Sequence, residues 1–143
     1  MTSLSVDRAN RVLLVAFGGP VTVGSLTSLD DQLMHFIDRN GTMSTVIDFT
    51  TATAIEVQPS TLVHRGKNRS LMSGRPRVFV ADNPLMFGLL RMYSTYQDDL
   101  GEMAPTIVWS LAEAFETLGL TTPKFEPVTT MGSASSSEEQ DPV

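Results

Sequence analysis

The chain has 143 residues, 41% of them hydrophobic, a mean hydropathy of +0.03 and no cysteine, so it suits one domain that buries its core without disulfides. The missing thiols exclude a disulfide framework, a cysteine nucleophile and a zinc site built on sulfur. Lys124 against Glu126, Glu138, Glu139 and Asp141 gives the segment after Leu120 a net −3, and the other −3 of the total −6 lies on residues 1–120, too acidic for a general nucleic-acid-binding face.

The N-terminal MTSLSVDRANR lacks the basic and then apolar regions of a secretory signal. The apolar run Val12–Phe17 is far too short to span a bilayer. A cytoplasmic protein without integral membrane association is the expectation.

Ser3–Val6 and Arg11–Phe17 read as strands joined by a polar turn at Asp7–Asn10, a hairpin that Gly18-Gly19-Pro20 brings to an end. Leu26, Leu29, Leu33, Phe36 and Ile37 then recur at helical spacing. That helix starts at Thr27 with Asp30 or one turn earlier, and Asn40-Gly41 closes it. Thr45–Phe49 is a third strand. It runs into a threonine-rich loop and then a helix over Val57–Asn68, with Pro59 in the first turn, where a missing N–H costs little.

Arg77–Ala81 is the next strand, and Asn83-Pro84 opens a helix that reaches about Gln97. Thr106–Trp109 is a short last strand. Ser110 and Glu113 have the spacing of a capping box, and the helix they start turns Leu111, Phe115 and Leu118 inward. After Leu120 the pattern dissolves into serine, proline and acid. Residues 1–120 are therefore expected to form one α/β domain and residues 121–143 a disordered acidic tail. The fold class is α/β, a mixed and mostly parallel sheet with an N-terminal hairpin and about four helices.

Ligands of open α/β sheets sit outside the carboxyl ends of the strands. Here that position holds Asp48, Thr50, Thr51 and Thr53, followed by Glu56, Ser60 and Thr61. The hydroxyls either line a ligand or partner loop or close the loop on its own backbone. No nucleophile–base pair accompanies them, and His35 and His64 are not spaced as metal ligands. Neither a catalytic residue, a cofactor nor a metal is expected.

Arg65, Lys67, Arg69, Arg75 and Arg77 supply five of the ten basic residues. They either meet a helix C-terminus and solubilise a loop or, at Arg65, Lys67 and Arg69, form an anion patch. Leu85, Met92 and Tyr96 form a second apolar stripe on the helix that follows. A helix lying on a sheet needs only one, so this stripe marks an interface and a candidate homodimer contact.

From about Val6 to Leu120 the chain resembles the STAS superfold of bacterial anti-sigma factor antagonists, and more closely the SpoIIAA-like branch related to CRAL-TRIO lipid-binding domains. Three stretches carry the resemblance: Arg11–Phe17 with Gly18-Gly19, Val46-Ile47-Asp48-Phe49-Thr50, and Arg77–Arg91 followed by Ile107–Leu118. The resemblance implies a non-catalytic regulatory domain that binds a protein partner. The alternative is a carrier or sensor of a small apolar or lipid-like ligand. It also implies a regulatory phospho-serine directly after an acidic residue. Ile55 and Glu56 match the preceding positions, but the acceptor falls on Val57 and the family's glycine is Pro59, so the usual switch is expected to be lost.

Overall fold

The computed structural model describes residues 2–128, and its first feature is the hairpin that the alternating N-terminal residues imply. β1 (Thr2–Asp7) pairs antiparallel with β2 (Val12–Phe17), Thr2 opposite Phe17 and Asp7 opposite Val12. Asp7 shapes the turn. Its carboxylate accepts the Asn10 N–H at 3.0 Å and the Asn10 side-chain amide at 2.8 Å. These bonds, the Asn10 side chain first among them, hold the Asp7 carboxyl below the ordinary carboxylate range.

Gly18 follows β2, but no loop opens there: Gly19–Thr22 forms a further strand, β3. The helix α1 (Val23–Asn40) starts about a turn before Thr27 because Thr22 and Ser25 cap each other. The Thr22 hydroxyl accepts the Ser25 N–H at 3.0 Å and the Ser25 hydroxyl accepts the Thr22 N–H at 2.7 Å. Gly41, at φ 77°, ends the helix by donating its N–H to the Ile37 carbonyl.

β4 (Ser44–Asp48) leads into the stretch expected as a loop, where Ala52–Glu56 is instead strand β5. β5 pairs in parallel with β3, so two short segments that look irregular alone satisfy each other. After it come α2 (Pro59–Gly66), β6 (Arg77–Val80), α3 (Pro84–Leu100), β7 (Thr106–Val108), α4 (Leu111–Thr117) and β8 (Glu126–Pro127). Asn83 caps α3 by accepting the Met86 N–H at 2.9 Å, and Gly101 closes it after Leu100, three residues beyond Gln97. Ser110 caps α4, but Glu113 reaches the Trp109 N–H at 2.8 Å rather than that of Ser110.

The main sheet has the order β7-β6-β4-β2-β1-β8; β2, β4, β6 and β7 run parallel, and β1 runs against β2. This is the expected α/β class with a mixed, mostly parallel sheet. Alternation along the strands divides the core. Leu13, Val15, Phe17 and Phe79 pack with α1 and α3, whereas Val12, Val46, Val78 and Val80 face Ala114 of α4. On the helical face Leu26, Leu29, Leu33 and Phe36 are buried, as their spacing implies.

The chain keeps packing past Leu120. Phe125 stacks on Phe115 at 5.6 Å, the Lys124 N–H donates to Asp7 at 3.1 Å, and β8 pairs with β1. The physical reason is that the outer edge of β1 has backbone groups to satisfy, and even a polar segment can do so. The rest of the expected tail, 129–143, lies outside the described residues. Among the described residues no helix is long and apolar enough to cross a membrane.

Candidate functional site

The carboxyl ends of β2, β4 and β6 carry three clustered rings and a carboxylate. Phe17 stacks on Phe49 at 5.1 Å, and Phe49 meets Phe79 edge-on at 6.0 Å. Asp48 is buried at 5% exposure and accepts both the N–H (2.9 Å) and the hydroxyl (2.7 Å) of Thr50. The Thr51 hydroxyl donates to the Phe17 carbonyl. Thr50 thus closes the turn on itself, whereas Thr51 ties it to the end of β2. Thr53 differs: it lies on β5, exposed.

Glu56 ends β5 opposite Thr22, exposed. Ser60 is exposed in the first turn of α2, and the Thr61 N–H donates to the Gln58 carbonyl at 2.9 Å. Val57, at the implied phospho-acceptor position, is half-buried and packs on the main core.

Beneath β5 and α2 lies an apolar chamber of about 70 Å³, lined by Phe17, Phe49, Ile55, Leu62, Phe79 and Leu90 among others. A wider groove of about 360 Å³ opens beside it, between β5 and the start of α3. Its walls include Phe49, Thr53, Ile55, Val57, Leu85 and Leu89. Leu85 is the most exposed large apolar side chain among the described residues, at 70%.

The interface trio does not share one free face. Met92 is half-buried, and Tyr96 lies against α2, with Gly66 close to its Cβ and the Lys67 ammonium 5.3 Å from its ring. Leu85 alone stands clear, at the other end of the helix.

The basic residues are individually engaged, although Arg65 and Arg69 line one groove. Arg65 makes a two-pronged pair with Asp30, both contacts 2.9 Å, and that pairing holds its guanidinium above its ordinary pKa. Arg69 pairs with Glu102 at 3.3 Å. The Ser73 hydroxyl first, with Arg69 and the Ser70 N–H, keeps Glu102 below the ordinary range despite its burial.

Sequence reasoning missed the polar core. Gln97 is fully buried, its amide donating to the carbonyls of Gly66 (2.7 Å) and Asn68 (2.8 Å). Its carbonyl accepts from Arg77 at 2.9 Å, and Arg77 also donates to the Tyr93 hydroxyl and the Met103 carbonyl. The available signal was a lone arginine opening the apolar run Arg77–Val80, which reads equally as a solvated strand end. Among the described residues no cluster of three or more His, Asp or Glu could hold a metal.

No protein-family profile matches the chain, and no curated protein matches it.

Proposed function

We propose that this chain is a non-catalytic, STAS-like regulatory domain that acts by binding a protein partner along its β5–α2–α3 edge. The observation that carries the reading is the groove of about 360 Å³ between β5 and α3, with Leu85 70% exposed at its rim. Phe49, Ile55 and Val57 give it an apolar floor, while Thr53 and Asn83 give it polar edges, the anatomy of a protein contact. Among the described residues β5 pairs only with β3, and a strand with one unpaired edge takes up an extended segment of another chain. The hairpin followed by parallel strands and helical crossovers supports the STAS-like part of the reading.

Control in this account comes from the supply of the partner. Val57 has no hydroxyl and faces the core, so the switch of the resembled family has no acceptor at its usual place. In this reading the partner is a different protein; Tyr96 of the stripe expected for a homodimer packs against α2.

The test compares Leu85→Glu with Met103→Glu, the same introduction of a charge at a residue 50% exposed elsewhere. A protein that co-purifies from the cells of origin should be lost from the first variant and kept by the second, with both variants folded. Equal recovery from both would reject the edge as the contact.

A second reading, storage of a small apolar ligand, has one observation behind it: the aromatic chamber beneath α2. At about 70 Å³ the chamber holds few heavy atoms, so that reading requires α2 to swing outward.

A further inference from the structure

On the helical face, away from the β5–α3 groove, a second groove of about 420 Å³ runs between α1, the end of α2 and the loop 68–72. Leu29, Leu33, Met34 and Met72 form its apolar walls, and Arg65, Arg69 and Arg77 its cationic ones. Two of these cations are already matched, Arg65 by Asp30 and Arg69 by Glu102. Arg77 is not. It is 6% exposed, takes part in no ion pair among the described residues, and donates only to the neutral oxygens of Tyr93, Gln97 and Met103. Its Nε–H is buried without any acceptor.

A buried cation without a counter-charge is costly, and a buried donor without an acceptor adds to that cost. Both deficits fall on one guanidinium, and that guanidinium lines a groove of ligand-binding size. We propose that this groove binds a small organic carboxylate with an apolar body. The carboxylate supplies the charge and the acceptor that Arg77 lacks, and the hydrocarbon lies along Leu29, Leu33, Met34 and Met72. An inorganic anion would leave those walls wet. A neutral apolar molecule would leave Arg77 uncompensated. The site is separate from the partner edge, so it stands or falls independently of the Leu85 result.

The test is a titration of the whole protein with octanoate, octanol and inorganic phosphate, followed by calorimetry and by the Arg77 Nε–H resonance, assigned with Arg77→Lys. Octanoate should bind with a Kd of about 1 mM or tighter and shift the Arg77 Nε–H, with octanol and phosphate at least roughly tenfold weaker. Met34→Asp, on a wall residue 58% exposed, should weaken octanoate by roughly tenfold or more through charge repulsion while the thermal midpoint stays put. An unmoved Nε–H at high octanoate, equal binding of octanol or phosphate, or undiminished binding by Met34→Asp would each overturn the proposal.

Discussion

Gly66 and Tyr96 meet so closely that a Cβ at position 66 would lie 2.8 Å from the Cβ of Tyr96 and 3.1 Å from the Tyr93 carbonyl. Only glycine lets α2 sit against α3 at that point, and α2 in turn roofs the chamber. Gly66→Ala should therefore destabilise the protein by about 1–3 kcal/mol, the range for overpacking a tight contact. Urea unfolding measures it, and an unchanged midpoint would mean that α2 is not held there.

Gln97 anchors the same helix from below. Gln97→Leu keeps the side chain's approximate volume but strands the carbonyls of Gly66 and Asn68 and one donor of Arg77. Several unpaired buried groups, one of them charged, should cost about 2–4 kcal/mol. Amide exchange should also speed up in α2 more than in β4, because the lost bonds attach α2 and not the central sheet.

Asp7 couples stability to acid. Its folded pKa is depressed below the unfolded value, so its contribution is complete above the ordinary carboxylate range and is lost as pH falls through the folded value. The stability gap between wild type and Asp7→Asn should be widest near neutrality and narrow as the pH falls below the ordinary carboxylate range. A gap that stayed constant with pH would show that the carboxylate's charge contributes nothing to the turn or to Lys124.

Arg65 and Asp30 join α2 to α1 with side chains about a third exposed, 32% and 34%. Solvent screens such a pair, so a double-mutant cycle with Arg65→Met and Asp30→Asn should give a coupling of about 1 kcal/mol, smaller in high salt. A coupling indistinguishable from zero at low salt would remove the pair from the account of how α2 is held.

What the sequence made legible follows from where local signals and tertiary structure agree. The buried residues of α1, the Asn83 cap and the Gly41 stop are written in spacing and side-chain chemistry, and they appear where expected. β3 and β5 were not legible. Gly19-Pro20 has the composition of a breaker and Ala52–Glu56 follows a threonine-rich loop, and only the pairing of β3 with β5 makes them strands. β8 was hidden for the same reason, since the partner that stabilises it lies more than a hundred residues earlier.

The candidate site was legible in its location and not in its contacts. The strand end at Asp48 was readable, but not that Thr50 spends its hydroxyl on Asp48 and Thr51 on the Phe17 carbonyl of β2. The basic cluster was legible as a group of sequence neighbours, but not which acid or ring each member meets. In space Arg65, Lys67 and Arg69 face three different partners, and the uncompensated charge is on Arg77.

The most direct test of the partner edge is a photo-crosslinking amino acid placed at position 85, and separately at position 103, in the cells of origin. The account predicts a discrete adduct with one other protein from position 85 and none from position 103. No adduct from position 85, or the same adduct from both positions, would contradict it.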